Sequence, residues 1–141
     1  MALEHMFGIA GSALNAQTVR MNASASNMSN AGTVAGSDKD AFRAKRTEFK
    51  TILAQHAGAA NDGLSGGVKV SRISDDPKPV ARMSDPGNPA ADKDGYVYLS
   101  NVNEMTEMVE MMAASRSYQN NVEVINTARQ LMARTLEIIK S

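Results

Sequence analysis

The sequence predicts a mainly α fold with a small β insert, in three parts: an N-terminal helix within residues 1–35, a β-containing insert over 36–100 and a long C-terminal helix over 101–141. Three observations carry this. Apolar residues recur every seven positions at both ends of the chain, as Phe7, Leu14, Met21 and Met28 and as Met111, Tyr118, Ile125, Met132 and Ile139, the spacing of a helix–helix seam. Neither Pro nor Gly interrupts the stretch from Asn101 to Ser141. All four Pro fall in the middle, among Gly, Asp and short runs of β-branched and aromatic residues, which is the composition of turns and strands.

The first helix is expected from Leu3 to about Asn30, with Leu3, Ala10 and Ala25 widening its apolar stripe. Between His5 and Ser37 the only charged side chain is Arg20. A solvated helix normally carries Glu and Lys, and Gly8 and Gly11 each cost about 1 kcal/mol relative to Ala. Such a segment is marginal by itself in water and needs packing partners. Asn27 to Gly36, rich in Asn, Ser, Ala and Gly, closes the helix and opens a loop.

In the insert, Phe42 to Gln55 sets Arg43, Lys45, Arg46 and Lys50 among Phe42, Phe49, Ile52 and Leu53, readable as a short basic helix or as a strand. Asp38, Asp40 and Glu48 dilute the charge, and no aromatic stacking platform follows, which argues against nucleic acid. Past a turn at Gly63 to Gly67, Val68, Val70 and Ile73 mark a strand stopped by Asp75, Asp76 and Pro77. Val80 to Met83 marks another, ended by Asp85, Pro86 and Gly87. Asn88 to Gly95 is a polar loop, and Tyr96 to Leu99 is a β-rich run leading into the last helix.

That last helix is specified locally. Asn101 and Asn103 are good N-caps, with Glu104 placed as in a capping box. Glu104, Glu107 and Glu110 crowd its start and Arg129, Arg134 and Lys140 its end, complementing the helix dipole. Met108, Val122 and Leu136 lie along the same edge as the seam. A second row, Val124, Leu131 and Ile138, sits roughly 100° around the helix, so the apolar arc approaches half the circumference. One partner helix cannot cover that. Periodicity alone leaves a bundle core and a subunit interface equally open, but the chain offers only one other long helix, which favours the interface.

Composition excludes several functions. Lys plus Arg equals Asp plus Glu at 15 each, so wholesale phosphate-backbone binding lacks its basic excess. There is no Cys, hence no disulfide or thiolate metal site. No apolar run is long enough to enter a membrane, and the N-terminus lacks the pattern of a Sec-type signal. His5 and His56 stand in no ligand or base pattern. Asp92-Lys93-Asp94-Gly95 resembles the middle of a calcium loop, but that register puts Ala90 first and Asn101 last, so a turn is the plainer account. No catalytic, cofactor-binding or metal-binding residues are expected, and no small-molecule substrate.

The remaining motifs form a resemblance. Ile9-Ala10-Gly11-Ser12-Ala13-Leu14, Ala16-Gln17, Arg20 and Ala25-Ser26-Asn27-Met28 are similar to the N-terminal motif of flagellar rod and hook axial proteins. More specific are Pro86-Gly87-Asn88-Pro89, Ala91-Asp92, Gly95-Tyr96-Val97, Asn101-Val102-Asn103, Glu107-Met108-Val109 and the run from Ala114 to Val124. With Phe42-Arg43-Ala44-Lys45-Arg46 and Gly67-Val68-Lys69-Val70, these resemble the proximal-rod proteins of the bacterial flagellar basal body. Departures are local: Ser100 stands where that family usually has Pro, the tail reads Ile138-Ile139-Lys140-Ser141, and Gln55 to Leu64 follows no recognised pattern.

The resemblance implies a non-enzymatic rod subunit that transmits motor torque across the periplasm to hook and filament. It implies export by the flagellar type III apparatus without a cleaved signal. The partners would be other rod proteins and copies of the same chain in a helical tube. The terminal helices would pair as an antiparallel coiled coil in an elongated subunit, with the insert facing outward. On that reading Phe7, Leu14, Met21 and Met28 face Met111, Tyr118, Ile125, Met132 and Ile139 within a subunit, and Val124, Leu131 and Ile138 contact a neighbouring subunit. The alternative is a helical-hairpin adaptor or chaperone presenting one apolar face to client proteins.

Overall fold

The computed structural model describes residues 2–52 and 66–140. Leu53, His56, the stretch from Gln55 to Leu64, Gly63, and the side chains of Leu3 and Lys140 lie outside the described residues. Two long helices, α1 (Ala2–Ser29) and α2 (Glu104–Lys140), bracket five strands: β1 (Val34–Ala35), β2 (Lys45–Thr51), β3 (Val68–Asp75), β4 (Arg82–Ser84) and β5 (Tyr96–Leu99). The mainly α architecture with a small β insert is as the sequence predicts.

At its start α2 differs from expectation by a few residues. The N-cap is Asn103, whose Oδ1 accepts the Thr106 N–H at 3.0 Å while its carbonyl accepts that of Glu107. Asn101 stays outside the helix. Its Oδ1 accepts the Ala44 N–H at 2.7 Å, and its Nδ2 donates to the carbonyls of Asp76 and Lys78. From its cap α2 runs 37 residues, about 55 Å.

α1 and α2 pack along their length. Late α1 residues meet early α2 residues, since Arg20 pairs with Glu110 and Asn27 with Glu107; early ones meet late ones, since Met6 shares a groove with Asn120 and Leu131. Apart from Asn27 and Glu107, the buried positions of the two helices are small: Ala10, Ala16 and Ser24 of α1, and Ala114 and Ala128 of α2. Glu107, Ala114, Asn121 and Ala128 repeat every seven residues. The larger side chains Met111, Tyr118, Ile125 and Met132 flank that row and are only half-buried.

A second face of α1 carries the β2–β3 ribbon. The two strands are antiparallel, from Lys45 opposite Asp75 to Thr51 opposite Val68, with an irregularity between Glu48 and Phe49. The basic stretch is therefore a strand, and tertiary pairing resolves what local pattern left open. Ser12 Oγ accepts the Val68 N–H at 3.1 Å and donates to the Ile9 carbonyl at 2.7 Å. Gly67 has φ +138°, and a Cβ there would sit 2.9 Å from Ser12 Oγ, so Gly lets the ribbon come this close to the helix.

A second sheet, ordered β1-β5-β4, links the other loops. Val34 pairs with Leu99 and Met83 with Val97, the latter fully buried. β1 is too short for sequence periodicity to reveal. The departure at Ser100 has a local role, because its hydroxyl donates to the Ala31 carbonyl at 2.6 Å and ties the α1 exit to the α2 entrance.

The small seam residues give a first test. Ala114 has no exposed surface, so Ala114→Leu forces the helices apart and is expected to cost about 1–3 kcal/mol, read as a lower urea midpoint by circular dichroism. An unchanged midpoint would mean that the helices are not in close contact there.

Candidate functional site

No cluster of three or more metal-ligating side chains exists among the described residues, and no described helix is long and apolar enough to cross a membrane. The distinctive features are a buried polar clasp and the apolar surface that surrounds it.

The clasp forms where α1 ends, α2 begins and the β2–β3 ribbon is rooted. Glu107, in the first turns of α2, is 0 % exposed. Its Oε1 accepts from Arg46 of β2 at 2.6 Å and its Oε2 from Asn27 Nδ2 of α1 at 3.0 Å. Asn27 also accepts the Lys45 N–H at 2.7 Å and donates to the Lys45 carbonyl, pairing with β2 much as a strand residue would. Arg46 Nε reaches Asp76 Oδ2 at 3.0 Å. The Asp76 N–H is held by the Ala44 carbonyl. A buried charge is tolerated only when paired and hydrogen-bonded, and here two other segments, α1 through Asn27 and β2 through Arg46, meet that condition for Glu107.

Similar pairing accounts for most of the basic cluster, Arg43, Lys45 and Arg46. Arg43 bonds Asp38 and the Lys78 carbonyl, Lys45 pairs with Asp75, and Arg72 with Glu48. These cations are engaged by acids within the chain. Burial works against the Arg46 charge, but bonds to Asp76 and Glu107 outweigh it and raise its pKa. The Lys78 N–H, followed by Arg46, holds the Asp76 carboxyl below the usual carboxylate range. The Asp92 loop is a turn: Asp92 Oδ1 accepts the N–H groups of Asp94 and Tyr96, and Gly95 takes φ +79°.

Around the clasp the sequence-derived residues fall into two groups. Phe7, Leu14, Met21 and Met28, with Met111, Tyr118, Ile125 and Met132, are half-buried, and Met21 lines one groove with Met111. Ile139, expected with them, is 74 % exposed, since among the described residues α1 starts opposite about Met132. Leu136 is exposed for the same reason, and Met108 turns outward beside Met105, Val109 and Met112. Val124, Leu131 and Ile138 are 44 %, 50 % and 74 % exposed. His5 is half-buried, with no hydrogen bond to a described residue, while His56 lies outside the described residues.

Counting apolar residues alone missed Asn27, Arg46, Asp76, Asn101 and Glu107. A signal did exist, since Glu107 stands seven residues before Ala114 and fourteen before Asn121, in the innermost row. A charged residue in such a row asks for a buried partner.

Comparison with known proteins gives a consistent set of relatives. Residues 93–138 match the family described as "Flagellar basal body rod FlgEFG protein C-terminal". Over 98 % of both chains, the sequence is 50 % identical to the flagellar basal-body rod protein FlgC of Yersinia enterocolitica and 46 % identical to that of Salmonella typhimurium. It is 34 % identical to the protein of that name from Bacillus subtilis, over 99 % of this chain and all of the relative.

Two outcomes follow from the clasp. Glu107→Ala leaves Arg46 and Asn27 without their shared acceptor and is expected to cost about 3 kcal/mol, measured by urea unfolding; a loss under 0.5 kcal/mol, within the range of about ±0.5 kcal/mol for ordinary surface substitutions, would mean the clasp is not buried in solution. Because the folded pKa of Asp76 is depressed, its contribution is complete above its unfolded value of about 3.9 and is lost as pH falls below it. Asp76→Asn should therefore lower stability at pH 7 and flatten its decline below pH 4. A parallel decline in both proteins would remove Asp76 from the acid transition.

Proposed function

The chain belongs to the FlgC family of flagellar basal-body rod proteins, as a structural subunit and not an enzyme, and on that premise we propose that it carries motor torque across the periplasm to hook and filament. The observation that supports this reading is the apolar surface of α2 that its own chain leaves uncovered: Met105, Met108, Val109 and Met112 near the start, and Val124 and Leu131 further on. A subunit that assembles with other rod proteins in the basal body supplies a use for that surface; a self-contained domain does not.

In this proposal α1 and α2 form an antiparallel coiled coil, with Phe7, Leu14, Met21 and Met28 opposite Met111, Tyr118, Ile125 and Met132. Val124, Leu131 and Ile138 face a neighbouring subunit in a helical tube that contains copies of this chain and other rod proteins. Residues 1–35 and 101–141 act as axial helices, and residues 36–100 as an insert that sets spacing among neighbours. Export proceeds through the flagellar type III apparatus without a cleaved signal. Load passes through close-packed side chains, which resist compression. The adaptor alternative has no support from relatives that match the chain end to end.

Ile125→Asp tests the seam. Ile125 is half-buried at the middle of the row, and exchanging its contacts for a poorly paired carboxylate should cost several kcal/mol per subunit. Export of an unfolded chain should be affected far less. The expected cell secretes the variant but does not swim, whereas Glu123→Gln, on an exposed face, swims normally. Full motility with Ile125→Asp would sink the seam assignment, and a secretion defect would place this helix in export instead.

A further inference from the structure

The uncovered apolar surface at the start of α2 is built mainly of thioethers. Met105, Met108 and Met112 stand three and four residues apart on one helix face, with Val109 between them. They are 70 %, 43 % and 60 % exposed. Met21, Met28, Met111 and Met132 are half-buried along the contact of α1 with α2. Met6 and Met83 are exposed singly, one at the groove with Leu131 and one on β4. Among the described residues, the Met of the helix contact are thus shielded, and one row of Met is open.

The row also lies away from what holds the fold together. At 100° per residue, Glu107 and Ala114, both 0 % exposed, fall on the side of α2 opposite to it. Chemistry at these three sulfurs therefore touches neither the clasp nor the close approach of the helices.

A thioether is soft and polarizable, and the chain holds no Cys to react ahead of it. Toward hydrogen peroxide the sulfur lone pair attacks one oxygen. The S–O bond forms as the O–O bond breaks, and the departing hydroxide takes the proton of the transferred oxygen. Sulfur gives up two electrons, the peroxide accepts them, and the products are a sulfoxide and water. The sulfoxide is polar where the thioether was apolar, a change that disrupts Met-rich contacts and is reversed by methionine sulfoxide reductases.

We propose that Met105, Met108 and Met112 form an oxidation switch: peroxide converts this row to sulfoxides in the free subunit, makes the face of α2 polar without loosening the fold, and so keeps the oxidised subunit out of its assembly. The last step rests on the reading of the chain as a rod subunit, and the first two do not.

The purified full chain is treated with hydrogen peroxide, and the sulfoxides are located by peptide mass spectrometry. Met105 and Met112 are expected to oxidise at least about fivefold faster than Met111 and Met132. The urea midpoint should stay unchanged while binding of a hydrophobic dye falls, and methionine sulfoxide reductases should restore the dye binding. Equal rates in the two sets, or a midpoint that drops when only the row is oxidised, would overturn the switch. In cells, Met105→Gln, Met108→Gln and Met112→Gln together imitate the oxidised row, and the three Leu substitutions the reduced one. The Gln chain should be exported yet missing from purified basal bodies that contain the Leu chain; equal incorporation of both overturns the proposal. If the triple Gln chain has a lowered urea midpoint, Met112→Gln against Met112→Leu is read by the same criteria. Absence of the unsubstituted chain from basal bodies would remove the rod reading and leave the peroxide result standing.

Discussion

A carboxylate with no exposed surface is the constraint on which the rest of this structure depends. Glu107 is stable in its position only while Arg46 and Asn27 are both in place, and each of these is itself fixed. Arg46 is aligned by Asp76 at the end of the ribbon, and Asn27 by both backbone groups of Lys45. Asn101 then closes the ring by gripping Ala44, Asp76 and Lys78 just before α2 begins. Removing any one segment leaves a buried polar group unpaired, which costs more than the net value of the bond it made. Among the described residues hydrophobic burial is shallow and rests largely on Ala, so directional polar bonds help set the angle between ribbon and helices.

That arrangement suits a subunit that must be stiff without a large core. Small residues in the innermost row bring α1 and α2 close, and the half-buried Met, Leu and Ile flank the contact. Flanking side chains remain available to neighbours. The chain thus leaves part of its apolar surface uncovered, and the clasp lessens how many apolar residues its own fold requires.

Much of this was legible in the sequence, for a physical reason in each case. Uninterrupted heptads revealed both helices, and Tyr96 to Leu99 and Val68 to Ile73 were visible as strands because β-branched and aromatic residues were bounded by Gly, Pro and Asp. Asn103 was named as a cap together with Asn101; only tertiary contacts decide that Asn101 serves the insert instead. The strand at Lys45 was ambiguous because its alternation is masked by charges that are paired across the ribbon or buried. Glu107 read only as an acid complementing the dipole at a helix start, and its burial shows only once its partners, 61 and 80 residues away, are known. The candidate interface was readable as excess apolar arc, whereas the end of the seam depends on where α1 stops relative to α2, which no local pattern encodes.

The separation between Asn27 and Glu107 also has a kinetic meaning. The two ends of that hydrogen bond are 80 positions apart in sequence, and closing a loop of that length costs roughly 4 kcal/mol of chain entropy beyond a fixed term. The β2–β3 ribbon joins residues far closer in sequence, so it can form first and carry Arg46 and Asp76 into register. The two helices then close onto a prepared anchor at one end and zip toward the other. For a chain folding from an extended state, loop-closure cost alone favours an order of events in which the insert sets before the helices shut and the helix ends furthest from the clasp close last.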